Sequence, residues 1–387
     1  MNSLSDADAM LLLSLTAGLG AVRLDRLLEG CGSARAILGA EAASIARIAQ
    51  MSASAADAVK RSLDGLLAGP ELQQQRELMA RHGATLVTRC DAGYPRSLLL
   101  TPDPPAVLFV KGELREQDAL ALAIVGSRRC THYGREQADR FAGMVCQAGM
   151  TIVSGGAFGI DAAAHRATLR AGGRTIAVLG NGLAKPYPEE HGELFDQIAD
   201  GHGAVISEFP MQASPRPEHF PLRNRIISGL ALGVLVVEAA LRSGALITAR
   251  LAAEDHGREV MAIPGRIDSA ASAGCHKMIR EGWATLVASP TDVLDCLGEA
   301  GQTLKATMPQ DAGEGGKPGS AAAAPGLFDQ TLTPEQRAIL DAMGKPVSLD
   351  QVIAATQLPV SVVQAQVTLL QMRGMIERRE GMLARRR

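Results

Sequence analysis

Between residues 119 and 265, one apolar β-type run after another stops at a short patch of glycine, serine or asparagine. The runs read LAIVGSR, TIVSGGAFGID, TIAVLGNG, VLVVEAALRSGALIT and VMAIPG. In an open parallel sheet, ligands sit beyond the carboxyl ends of the strands, where small residues let backbone N–H groups and helix N-termini approach a phosphate closely. The pattern therefore predicts several strands opening onto one anion-binding edge, and a phosphate-bearing ligand.

The stretches between these runs, 134–148, 161–171, 224–232 and 244–256, have helical character, so the whole reads as the β-α-β alternation of a doubly wound domain. Ahead of it, ATLVT and VLFVKG bracket a proline-marked connection and extend the sheet or lead into it. Residues 4–68 read as a small helical bundle: Ser5 precedes the first helix, and Leu24, Leu27 and Leu28 share a face. Its Gly18-Leu19-Gly20 turn fits either a helix-hairpin-helix that holds a phosphate or a tight turn that needs glycine for its own sake.

Residues 299–330 lose periodicity around GEGGKPGSAAAAPG and read as a flexible linker, whose GGKPGS has the wrong spacing for a P-loop. Order returns at 331–387 with three capping boxes, Thr333 to Gln336, Ser348 to Gln351 and Ser361 to Gln364. A strand-like MIERREGMLARR follows, turning at Glu380-Gly381, so three helices and a hairpin predict a winged helix. The expected domains are thus 1–82, 83–298, a 299–330 linker and 331–387.

A net charge of −2 means that attraction for a nucleic acid must come from a local basic cluster. The six cysteines are dispersed, without a CxxC pair or a histidine cluster at metal-ligand spacing, which predicts a reducing cytoplasm and no metal. The run Met10 to Leu15 lacks a basic flank and reads as helix rather than signal peptide. No apolar stretch approaches the ~20 residues of a membrane span, so no membrane partner is expected.

Gly126, Ser127 and Arg128 end the first central strand and place a hydroxyl and a guanidinium at the expected ligand edge. Ser154, Gly155 and Gly156 close the next strand, and Gly159-Ile160-Asp161 starts a helix. Asp161 and His165, one turn apart, fit an acid–base pair or a helix cap beside a neighbour. Gly180-Asn181-Gly182 begins like a dinucleotide fingerprint but lacks the third glycine, which disfavours NAD and leaves no cofactor expected. Ser243 and Gly244 open another helix and offer further N-terminal amides.

The sharpest basic cluster is Arg223, Asn224 and Arg225, expected just ahead of a helix with Phe220 close by. Alternate arginines can clamp successive phosphates while an aromatic ring stacks on an unpaired base; salt bridges to Glu208, Glu218 or Glu238 are the other reading. Tyr133, Phe158, Tyr187, Phe209 and Phe220 all fall in or beside the edge loops, although aromatic residues are only 3% of the chain. No Ser-His-Asp order, Walker motif or metal motif is present, so binding without catalysis is expected, with Glu208 and Glu238 as the reserve for acid–base work.

IVGSRRCTHYG, IVSGGAFGIDAAAH, TIAVLGNGL, HFPLRNRIISG, VVEAALRSGALITA and VMAIPG closely resemble the DNA-processing protein A (DprA, or Smf) family, over residues 84–297. The resemblance implies an α/β fold. An extended Rossmann-like doubly wound sheet would carry an N-terminal helical domain of the SAM-like or helix-hairpin-helix kind and a C-terminal winged helix. It also implies a non-enzymatic protein that binds incoming single-stranded DNA, dimerises and helps load the RecA recombinase during natural transformation. By motif, Arg128 with its GSR loop, Ser154 to Gly156, and Arg223, Asn224 and Arg225 would line the DNA pocket. Phe158 departs from the family, which often has Lys or Arg there; an aromatic residue at that position predicts stacking on or covering a base.

For the terminal domain two readings stand. Gln364, Gln366, Thr368 and Gln371 face outward on the predicted third helix, while Arg373, Arg378, Arg379 and Arg385 to Arg387 collect basic charge, so the domain adds duplex affinity or docks a protein. Two other functions compete with the family reading. A phosphoribohydrolase-like nucleotide-processing enzyme would use Glu208 or Glu238 but lacks the expected PGGxGTxxE-like loop. A winged-helix transcription regulator rests on residues 331–387 alone.

Overall fold

The computed structural model describes residues 4–305 and, beyond them, 334–343, 347–358, 363, 366–367, 370, 375–379 and 382–385. Residues through Pro290 form one compact unit and those from Thr291 a second.

The first unit opens with α1 (Asp6–Leu15), α2 (Ala21–Cys31), α3 (Ala34–Leu38), α4 (Ala42–Ala49), α5 (Ala53–Ala68) and α6 (Glu71–His82). Ser5 starts α1 through a reciprocal capping box: its hydroxyl accepts from the Asp8 N–H at 3.1 Å while the Asp8 carboxylate accepts from the Ser5 N–H at 3.0 Å. Ala9 to Leu13 are all buried, so α1 is apolar around its circumference and lies inside the helical layer. Gly18 sits at φ +81° in the turn between α1 and α2, the left-handed backbone that glycine adopts without a Cβ clash.

The sheet follows: β1 (Ala84–Thr88), α7 (Arg96–Leu99), β2 (Val107–Gly112), β3 (Ala121–Val125), α8 (His132–Gln147), β4 (Thr151–Ser154), α9 (Ile160–Arg170) and β5 (Thr175–Val178). It continues through α10 (Gly192–Ala199), β6 (Gly203–Ser207), α11 (His219–Leu230), β7 (Gly233–Val236), α12 (Ala245–Arg250), β8 (Glu259–Ala262), α13 (Ala273–Arg280) and β9 (Thr285–Leu286). The nine strands lie in the order β1-β2-β6-β5-β4-β3-β7-β8-β9. Those from β6 to β9 are parallel, and β1 and β2 extend one edge antiparallel, as the two short apolar runs led one to expect.

Strands β3 to β7 are apolar on both sides because both sides are covered. Phe109, Ala177 and Val205 face a core shared with α9, α10 and the N-terminal helices. Their neighbours Leu108, Val178 and Ile206 face the opposite core with α11 and α12. Chain order runs outward from β3 to β6 and then returns to β7 on the other flank of β3, so the topological switch lies between β3 and β7.

Two helices differ from expectation. Arg223, Asn224 and Arg225 lie inside α11 rather than ahead of it, because α11 begins at His219 and Pro221 falls in its first turn, where a missing N–H costs no helical bond. The helix expected through 256 is α12 only to Arg250, after which Leu251–Asp255 form a π-helical turn.

α14 (Pro290–Cys296) starts at the unit boundary and leads to α15 (Gly298–Lys305), α16 (Pro334–Asp341), α17 (Leu349–Thr356), β10 (Ile376–Arg379) and β11 (Met382–Arg385). The second unit has its own apolar core, with Ile339, Val352, Val363, Val367, Leu370 and Leu383 buried in it. β10 and β11 pair antiparallel, and Val347 bridges to Leu383, the wing of a winged helix. The Ser348–Gln351 capping box is formed. Thr333, Ser361 and Gln364, the Glu380-Gly381 turn, Thr368, Gln371, Arg373 and Arg386 to Arg387 lie outside the described residues. Gln366 does not project freely: its side chain accepts from Gln336 at 2.8 Å. Among the described residues no helix is long and apolar enough to cross a membrane.

Candidate nucleic-acid interface

The carboxyl ends of β3, β4 and β5 meet the first turns of α9 and α11, and the site built there has a buried floor and an exposed rim. Ser154 anchors the floor by donating its hydroxyl to Ile124 O at 2.6 Å, which ties β4 to β3. Asp161 folds back on the loop after β4 and accepts from the N–H groups of Gly155 and Ala157 at 3.1 and 3.4 Å. From α11, Arg223 donates to Gly155 O at 2.6 Å and to Val178 O, joining the ends of β4 and β5. A Cβ on Gly155 would lie 2.6 Å from both the Arg223 guanidinium and the Asp161 carboxylate, so only glycine fits between them.

Arg223 is 4% exposed. Burial pulls its guanidinium down to about 10 against the opposing charge of Asp161. The same burial pushes the Asp161 carboxyl up to about 6, although Arg223 and the two loop amides favour its charged form. His165 forms no pair with Asp161; its Nδ1 meets the Thr175 hydroxyl at 2.7 Å. Burial first, and then the neighbouring His191 and Arg223, bring that imidazole down to about 3.

On the rim, Gly126 leads out of β3 and Arg128 is exposed, with its guanidinium 4.9 Å from the centre of the Phe220 ring, a cation–π contact. Phe158 is 41% exposed and Tyr187 40%. The Phe158 ring rests edge-on against His191, whose Nδ1 is 2.9 Å from Gly156 O, and Tyr187 lies 5.8 Å from Phe220. Arg128, Gly155, Phe158, Tyr187, Phe220 and Arg223 line one pocket. Its inner space is about 20 Å³, about one water's worth. A nucleobase is far larger than this space.

Sequence reasoning placed Arg128, Gly155, Phe158 and Arg223 at this pocket, and the structure brings them together. It does not bring Arg225, which pairs with Asp103 at 3.1 Å and Glu208 at 2.5 Å. Burial raises the Glu208 carboxyl while Arg225 opposes the shift, so this glutamate is a structural partner. Asn224 is buried and does not line the pocket; its backbone carbonyl accepts from the Ser228 hydroxyl. Ser243 caps the N–H of Ala245 beyond β7, and neither it nor Gly244 lines the pocket. Ser127 gives its N–H to Glu238 O at 2.7 Å.

Part of the expected cradle of backbone amides is engaged within the chain. Asp161 takes the amides of Gly155 and Ala157, and the Glu238 carboxylate takes that of Thr131 at 2.7 Å. Sequence reasoning missed His191, the prop under Phe158; its segment PYPEEHGELF carries no signal for that role.

A doubly wound sheet with a side-chain pocket of arginine and aromatic rings at its carboxyl edge defines a Rossmann-like protein suited to an unstacked base and its phosphate. The profile of the DNA recombination-mediator protein A family matches residues 85–298, and that of the DprA winged helix domain matches 320–382. The chain belongs to the DNA recombination-mediator protein A (DprA/Smf) family. Protein Smf of Escherichia coli is 50% identical over 204 residues, a match that spans 53% of this chain and about half (54%) of that protein's length. Protein Smf of Synechocystis is 38% identical over 321 residues, 78% of this chain and 80% of the relative. The X-ray structure of DNA processing protein A from Streptococcus pneumoniae superposes with a TM-score of 0.65 at 35% identity, covering 76% of this chain and 98% of that one. The Helicobacter pylori protein, whose structure was described for its single-stranded DNA binding mode, gives 0.50 at 27% identity over 55% of this chain and 95% of that one.

Proposed function

We propose that the rim over β3, β4 and β5 binds single-stranded DNA, and that the chain acts on such DNA in recombination without catalysing a reaction. The observation that carries this reading is the clustering of Phe158, Tyr187 and Phe220 around the exposed Arg128. Stacking on a ring asks for an unpaired base, which a duplex does not offer, and a guanidinium beside the rings meets the adjoining phosphate. Arg223 supports the reading from below as a strut that shapes the loop. The relatives' descriptions, DNA processing and single-strand binding, agree with it.

The finer role follows the family: protection of incoming single strands in the cytoplasm, dimerisation of the chain and loading of RecA onto the bound strand during natural transformation. Glu208 and Glu238 weigh against a nucleotide-processing enzyme, since Arg225 and Thr131 already engage them.

Gel shifts of oligo(dT) and of a duplex, with the wild-type chain and Arg128→Ala, test the site. The wild type should prefer the single strand. Arg128→Ala should weaken single-strand binding by about 1.5–3 kcal/mol, the worth of a hydrogen bond to a charged group. It should also flatten the salt dependence by about 0.7 in log-log slope per lost phosphate contact. Equal loss on single strand and duplex would reject the pocket as a base-reading site.

A further inference from the structure

The topological switch between β3 and β7, where folds of this topology receive nucleotide phosphates at a helix N-terminus, is filled by the chain itself. Glu238 follows β7 and is 2% exposed. Its carboxylate accepts from the Thr131 N–H at 2.7 Å and from the Thr131 hydroxyl at 2.7 Å, and that hydroxyl in turn caps the Gly134 N–H at 3.1 Å. The first turn of α8 is packed directly against it: a Cβ on Gly134 would stand 2.7 Å from Glu238 Oε2. Glu238 O also takes the Ser127 N–H at 2.7 Å, which seals the start of the GSR loop to the same residue.

We propose that Glu238 is a specificity-determining residue that excludes free nucleotides and pyrophosphate from this fold. It does so by placing a carboxylate where their phosphate would otherwise sit. A second anion would have to share the same N–H and hydroxyl donors at contact distance from the first, beside a carboxylate that is itself buried. With the switch crevice occupied, a phosphate-bearing ligand is left to the rim, where a polymer makes several contacts and a mononucleotide makes one. Glu238 therefore biases the chain toward strands and against the abundant small nucleotides that similar sheets bind.

Removing the carboxylate while leaving room tests this. Pyrophosphate and adenosine 5′-monophosphate are titrated calorimetrically at low salt into the wild-type chain, Glu238→Gln and Glu238→Ser. Oligo(dT) binding and circular dichroism report folding. Wild type should show no saturable pyrophosphate binding in the millimolar range. Glu238→Ser should gain it at least tenfold over wild type, with loss at high salt, and the shape-conserving Glu238→Gln should gain less. A folded Glu238→Ser chain that binds no pyrophosphate would overturn the proposal. So would wild-type binding that protects the Thr131 and Gly134 amides from hydrogen exchange, a measurement that stands even if Glu238→Ser fails to fold. Failure of oligo(dT) to bind the wild type would sink the single-strand reading and leave the pyrophosphate result intact, so the two proposals fall separately.

Discussion

Arg223 and Arg128 line the same pocket and do opposite work. Arg223 is buried, one of its nitrogens donating to both Gly155 O and Val178 O and its charge set against Asp161. Arg128 is exposed and touches a ring face rather than an acid. A guanidinium held by backbone carbonyls is part of the scaffold, whereas one resting on an aromatic ring gives up little when a phosphate arrives. The floor of the site is thus tied together by its own chain, while the rim carries the exposed arginine and rings.

The largest expected effect breaks the floor. Arg223→Ala removes the cation nearest the buried Asp161 carboxyl and unties β4 from β5, so urea unfolding should show a loss of about 3–5 kcal/mol, the range for leaving a buried charge uncompensated. Loss of DNA affinity with stability unchanged would move Arg223 from strut to ligand contact and erase the contrast with Arg128.

A pH experiment probes the same floor more gently. His165 has an ordinary value of 6.5 in the unfolded chain and about 3 when folded. The unfolded chain therefore binds a proton across that window that the folded chain refuses. Its contribution to stability is present above pH 6.5 and is lost as pH falls toward 3, by roughly 2 kcal/mol between pH 7 and pH 5. Asp161 acts in the other direction, since its raised folded value makes a contribution that is complete below 3.8 and lost as pH rises through about 6. Comparing wild type with His165→Gln isolates the histidine: the stability gap between them should narrow by roughly 2 kcal/mol on going from pH 7 to pH 5. A constant gap would mean that the floor does not hold this imidazole neutral.

The contrast between floor and rim also marks what the sequence discloses. Strand ends were legible because an apolar run that stops at Gly, Ser or Asn has few other meanings, and the order of those runs sufficed for a doubly wound sheet. Ser5 and Ser348 were legible as caps because both partners of the box lie within one turn. Arg128 could be placed because its strand ends three residues earlier. The commitments of the floor were not legible. Asp161 meets Arg223, and Glu238 meets Thr131, only after distant segments come together, and a helix beginning at His219 under Pro221 turned a presumed pre-helical clamp into an interior pair. Arg225 likewise found Asp103, an acid in the proline-marked connection that no local pattern joins to it.

The rim offers the smallest and most selective change. Phe158 stands exposed on the rim, and its ring is propped by His191 rather than sunk in the core. If it stacks on a base, Phe158→Ala should cost about 1 kcal/mol of oligo(dT) affinity, the low end for base stacking, because Tyr187 and Phe220 remain. The salt dependence should stay unchanged, since a ring neutralises no phosphate. Unfolding stability should move little because the side chain is already part exposed. Phe158→Lys separates stacking from charge: a cation there should steepen the salt slope while giving up the stacking contribution. Unaltered affinity in Phe158→Ala would remove the ring from the interface and leave Arg128, Tyr187 and Phe220 to define the rim.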